Sequence, residues 1–124
     1  MDRYDPDIPP QSDEWLQADE GERLDLVSSY HRRKKTPLPN QQLHAVIHVV
    51  VENQLALGEE VVVETLDRLM SEGLTRHDAL HAIGSVLAAD VYELLREDGD
   101  ATDDIYRRYL EGIQKLTAKS WRSG

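Results

Sequence analysis

Apolar residues recur at helical spacing along most of the chain, and polar residues interrupt them in register. Leu24, Val27 and His31 stand at i, i+3, i+7, which predicts a helix over 22–33 with His31 pointing the way its apolar neighbours point. Residues 40–57 are apolar on nearly every side, through Leu43, Ala45, Val46, Ile47, Val49, Val50, Val51 and Leu55. A helix apolar all round is buried all round, so this segment is expected at the centre of the fold. Its valines also suit a strand, but only the helical period makes one polar stripe of His44, His48 and Glu52.

The punctuation fits helices. Pro6, Pro9 and Pro10 predict an extended acidic arm over 1–11, since proline lacks a backbone donor and keeps the preceding residue out of helix. Ser12 is the expected N-cap of a short helix anchored by Trp15 and Leu16, and Gly21 is the expected break before the next. The basic run Arg32-Arg33-Lys34-Lys35 suits a helix C-terminus, and Pro37 and Pro39 end that element. Asn40 caps the central helix, and Gly58 stops it. A helix over 59–72 turns Val62, Leu66, Leu69 and Met70 inward, with Gly73 at C′ and Leu74 closing a Schellman contact. Thr75 and Asp78 have capping-box spacing and open a helix on Leu80, Ile83, Leu87, Val91 and Leu94 that reaches about residue 97. Gly84 and Ala88 are small enough to let another helix approach. After a turn at Asp98-Gly99-Asp100, a last helix over 102–119 packs Ile105, Tyr109, Leu110, Ile113 and Leu116, and 120–124 is a loose tail. The expected fold is all-α: one helical domain over 12–119, a bundle of four to five main helices around a buried central helix.

Composition narrows the function. With 24 acidic and 14 basic residues the chain carries a formal charge of -10, which opposes binding to nucleic acid or an anionic membrane. There is no cysteine, so neither disulfides nor thiolate metal sites can form. No apolar run is long enough to span a bilayer, and Met1-Asp2-Arg3-Tyr4-Asp5 does not open a signal peptide. The expected setting is cytoplasmic. Phenylalanine is absent, so Leu, Val, Ile and Ala should make the core, with Trp and Tyr at its edges.

All five histidines, His31, His44, His48, His77 and His81, fall on or beside core-facing stripes. His44 and His48 are four residues apart, as are His77 and His81, and such pairs share one helix face. Imidazole suits zinc, iron, copper or nickel, carboxylate adds an oxygen ligand, and helical bundles build metal sites by projecting both inward. His44, His48, Glu52, His77 and His81, with His31 as a further donor, are therefore the candidate ligands for a divalent metal, zinc or iron. The bland alternative is a set of neutral core histidines satisfied by carbonyls or carboxylates. In that case the protein is a non-catalytic interaction module that meets its partner through the acidic arm or the Trp15 region.

Three sharper motifs compete. His77-Asp78-Ala79-Leu80-His81 resembles a metalloprotease H-E-x-x-H with Asp for Glu, but no third histidine follows. His77-Asp78 spells the doublet of histidine–aspartate phosphohydrolases, for which His44 and Asp90 or Asp104 could complete a set. His48-x-x-x-Glu52 with His77-x-x-x-His81 resembles part of the hemerythrin di-iron pattern, without its last histidine–aspartate motif.

A closer resemblance covers about residues 30–113. Asn40-x-x-Leu43-His44-x-x-x-His48-x-x-x-Glu52-x-Gln54, then His77-x-x-x-His81-Ala82-Ile83, with Tyr30-His31 upstream, is similar to an uncharacterised bacterial family of small helical proteins of unknown function. The resemblance implies a helical fold with a shared polar centre, and no known reaction. Gly84-Ser85 stands where a larger residue and a carboxylate would be expected, so a symmetric dinuclear site is not implied. If the protein is an enzyme, hydrolysis by a metal-activated water is the simplest chemistry, yet no separate nucleophile or substrate motif is visible. Long apolar helices in a small bundle leave a homodimer open.

Overall fold

A computed structural model describes residues 3–34, 41–97 and 102–123. Among them every regular element is helical, as the patterning predicts: α1 (Ser12–Gln17), α2 (Glu20–Lys34), α3 (Gln41–Ala56), α4 (Glu60–Ser71), α5 (Arg76–Glu97), α6 (Thr102–Lys115) and α7 (Ala118–Ser123). None of these helices is long and apolar enough to cross a membrane. Lys35, the proline stops at Pro37 and Pro39, the Asn40 cap and the Asp98-Gly99-Asp100 turn lie outside the described residues. The chain forms two compact units, Met1–Glu59 and Glu60–Gly124.

In the first unit α1 and α2 both pack on α3. Within the arm expected to be extended over 1–11, residues 5–8 form a turn. Asp5 accepts the Ile8 amide through its carbonyl at 3.0 Å and the Asp7 amide through its side chain at 2.9 Å, with Pro6 at the turn position its fixed φ favours. This turn delivers Tyr4 into the core, where it is 1% exposed. Tyr4, Trp15, Val27, Tyr30, Ala45 and Val49 form one buried cluster, with Leu24, Leu26 and Ala56 against it. The Tyr4 ring tilts against Trp15 at 5.7 Å and meets Tyr30 edge-on at 6.3 Å, spacings at which aromatic pairs attract.

The aromatic residues are thus central where the sequence puts them at the edges. They can be, because their polar tips are satisfied: Trp15 Nε1 donates to Asn53 Oδ1 at 2.8 Å. Arg23 donates to the same oxygen at 3.0 Å and to the Trp15 and Leu16 carbonyls at 2.9 Å each, closing the end of α1. Ser12 does not cap α1; Gln11 precedes the helix without a side-chain bond. Gly21 does not break α2 either. It sits in the first turn, where the Asp19 carboxylate accepts the Glu22 amide at 2.8 Å and acts as N-cap.

The central helix is less evenly buried than its composition suggests. Ala45, His48, Val49, Val51 and Glu52 are buried, whereas Leu43 and Val46 are exposed. α3 ends as expected. Gly58 has φ 74°, its amide reaches the Leu55 carbonyl at 3.0 Å, and the Glu59 amide reaches Gln54 at 2.9 Å, the two bonds of a Schellman motif.

In the second unit α4, α5 and α6 pack on one another. Val62, Leu66, Leu69, Leu80, Ile83, Ile105, Tyr109 and Ile113 are buried; Met70, expected inside, is exposed. Gly73, at φ 106°, ends α4 with a second Schellman pair, and Leu74 is buried after it. Thr75 Oγ1 accepts the Asp78 amide at 3.0 Å and caps α5. The close helix approach is found at Gly112, where an added Cβ would lie 2.9 Å from Val86 Cγ1.

The expected tail is helical through Ser123 as α7. The chain breaks after Lys115 because Thr117 starts a new helix. Its hydroxyl accepts the Ser120 amide at 2.9 Å, and the Ser120 hydroxyl accepts the Thr117 amide at 3.0 Å, a reciprocal box with serine in the carboxylate position.

Candidate metal centre

Helical periodicity puts His44, His48 and Glu52 on one stripe of α3, and His31 on the inward face of α2. His31, His48 and Glu52 are buried, and His44 is half-buried. The three rings crowd together. Centroids are 4.6 Å apart for His31 and His44, and 5.5 Å for both His31–His48 and His44–His48. Each offers one ring nitrogen within 4.8 Å of those of the others. Tyr30 meets His31 edge-on at 5.4 Å, and Tyr4 meets His48 at 5.7 Å.

The hydrogen bonds fix which nitrogen each ring can offer. His31 Nδ1 lies 2.9 Å from the Val27 carbonyl. A carbonyl only accepts, so Nδ1 carries the proton and Nε2 presents a lone pair. Tyr4 stands between His48 and Glu52. Its hydroxyl donates to Glu52 Oε2 at 2.5 Å, which uses its single proton, and it lies 3.0 Å from His48 Nδ1. For that second contact to be a hydrogen bond, Nδ1 must donate to the tyrosine oxygen, and Nε2 of His48 is again the lone-pair nitrogen. Two buried histidines are therefore held in one tautomer by an acceptor on the ring's other side, the outer-shell arrangement usual for metal-bound imidazole.

Glu52 enters this structure as the acceptor for Tyr4. In the second unit the other histidine pair opens α5. His77 is in the first turn and His81 one turn on, both half-buried, with ring centroids 4.2 Å apart. Arg76 beside them is buried.

Sequence reasoning missed Tyr4 altogether as a site residue. Its contacts to His48 and Glu52 span 44 and 48 positions, and no periodic pattern links a residue in a turn to a stripe that distant. The Asp5-Pro6 turn is the one local hint. Asn53 was missed for the same reason, since it is one polar residue inside an apolar helix until Trp15 and Arg23 converge on it. Compared with known protein families, with curated proteins and with solved structures, the chain matches none.

Proposed function

We propose that the protein binds a divalent metal ion through imidazole nitrogens of His31, His44 and His48. The observation that carries this reading is the grouping of the three residues within the first unit, one ring nitrogen from each within 4.8 Å of the rest. The tautomers argued for His31 and His48 support it, because each leaves Nε2 as the donor. Ligand nitrogens around a tetrahedral zinc stand about 3.3 Å apart, given metal–nitrogen bonds of roughly 2.0–2.1 Å, so the rings would draw inward on binding. An all-nitrogen set without thiolate suits zinc or iron. Glu52 completes the polar surroundings by holding Tyr4. The protein is read as a cytoplasmic bacterial one, akin to the small helical family its histidine motifs resemble. Its charge of -10 argues against a nucleic-acid partner.

Elemental analysis of the purified protein tests this. Close to one equivalent of zinc or iron is expected, with His31→Ala and His48→Ala each losing most of it. Low, equal metal content in all three proteins would leave an interaction module with structural histidines.

A further inference from the structure

Tyr4 has no part in the helical framework, yet it is among the most deeply buried side chains of the protein. Its ring fills the aromatic cluster with Trp15 and Tyr30, while its hydroxyl leaves that cluster to join two polar residues one turn apart on α3. A phenol has one proton and two lone pairs. Glu52 is the stronger acceptor and takes the proton, so the oxygen is left to accept from His48. The order of donors is then fixed along the chain of groups: His48 Nδ1–H to Tyr4 oxygen, Tyr4 O–H to Glu52 carboxylate.

We infer that Tyr4 is a positioning residue that locks His48 as the Nδ1–H tautomer, with Nε2 turned out as the donor atom, and so sets the affinity of the centre for its metal. The inference rests on the metal-binding reading above for its consequence, although the tautomer itself can be seen without metal. It also gives the N-terminal segment a role, because the Asp5-Pro6-Asp7-Ile8 turn is what carries Tyr4 inward. Outer-shell partners of this kind typically change metal affinity by roughly 10–100-fold when removed.

The test pairs two measurements on wild type and Tyr4→Phe, which keeps the ring and removes only the hydroxyl. Long-range ¹H–¹⁵N correlation spectra of the metal-free proteins report the His48 tautomer directly. Nδ1–H is expected in wild type, with a shift toward Nε2–H or a mixture in the variant. Competition titration with zinc against a chromophoric chelator should show the variant weaker by about 10–100-fold. An Nε2–H tautomer in the wild type overturns the proposal without reference to any variant. An unchanged tautomer in Tyr4→Phe, or zinc affinity within about twofold of wild type, overturns it as well. If neither protein binds zinc or iron, the metal reading falls together with the affinity claim, and the spectra separately decide whether Tyr4 sets the tautomer.

Discussion

The two units differ in where their best-defined polar network lies, although the second also buries Thr65 and Arg76. In Met1–Glu59 polar groups are taken inside: Tyr4, His31, His48 and Glu52 are all buried, and the bonds between them join distant parts of the chain. In Glu60–Gly124 the best-defined polar network lies at the surface and serves helix ends. Arg68 donates to the carbonyls of Ile113, Gln114 and Leu116 where α6 stops, and pairs at 3.0 Å with Glu72, the residue after α4. Glu72 in turn accepts the Ala118 amide at 2.8 Å, at the start of α7. Burying a polar group costs free energy unless every partner is supplied, whereas an exposed one can fall back on water. The first unit thus has the features expected of a site, and the second those of a scaffold.

That contrast fails if the aromatic cluster around Tyr4 contributes little. Trp15→Ala removes a fully buried side chain and the donor to Asn53. The expected loss is about 3–5 kcal/mol, read from the urea midpoint at constant m-value. A loss under about 1 kcal/mol would mean that the N-terminal unit does not depend on its aromatic core.

Metal removal is the next largest effect. A ligand that binds only the folded state stabilises it by mass action, by about 2.7 kcal/mol at a hundredfold excess over Kd. A strong chelator should therefore lower the Tm, and readdition of zinc or iron should restore it, with His48→Ala indifferent to both. Equal melting curves with and without chelator would count against any ion in the centre.

What could be read from the sequence divides along the same line. The Schellman ends at Gly58 and Gly73 and the Thr75 cap were all legible, because each depends on a few adjacent residues and on backbone rules. Asp19 and Thr117 had the same kind of local signal, Asp19-x-x-Glu22 and Thr117-x-x-Ser120, and could have been found. The histidine stripes were legible because helical period alone aligns His44 with His48. What was lost is what only tertiary packing decides. A helix as uniformly apolar as α3 does not say that Leu43 and Val46 face out while His48 faces in. Tyr4 and Asn53 acquire roles only when residues more than 30 positions away arrive beside them.

The scaffold unit can be probed where α6 approaches α5 closely. Alanine in place of glycine inside a helix ordinarily gains about 1 kcal/mol. At Gly112 the new methyl would meet Val86 Cγ1 at 2.9 Å, and valine has little rotamer freedom with which to yield. Overpacking of this kind costs about 1–3 kcal/mol, so Gly112→Ala should be destabilising on balance. Adding Val86→Ala should recover part of the loss, a coupling that a double-mutant cycle measures. Additive effects would show that the helices are not in contact there.

The smallest expected effect belongs to Glu72. The Ala118 amide that donates to it holds its carboxyl below the ordinary value of 4.5; partial burial pulls the other way, and Arg68 adds to the lowering by hydrogen bond and charge. A carboxyl whose folded pKa lies below its unfolded one binds more protons when unfolded. Its contribution to stability is therefore fully present above about 4.5 and is lost as the pH falls through the lower, folded value. Exposure to water keeps the effect slight. Glu72→Gln isolates it, since an amide oxygen can still accept from Ala118 but does not titrate in this range. Wild type should exceed the variant in stability at pH 7 and lose that margin as the pH falls below about 4.5. The difference in urea midpoint between the two proteins, followed from pH 7 into acid, cancels the titration of the chain's other carboxylates. A margin that stays constant, or grows in acid, would mean that the α6–α7 corner is held by the Arg68–carbonyl bonds and not by the charge on Glu72.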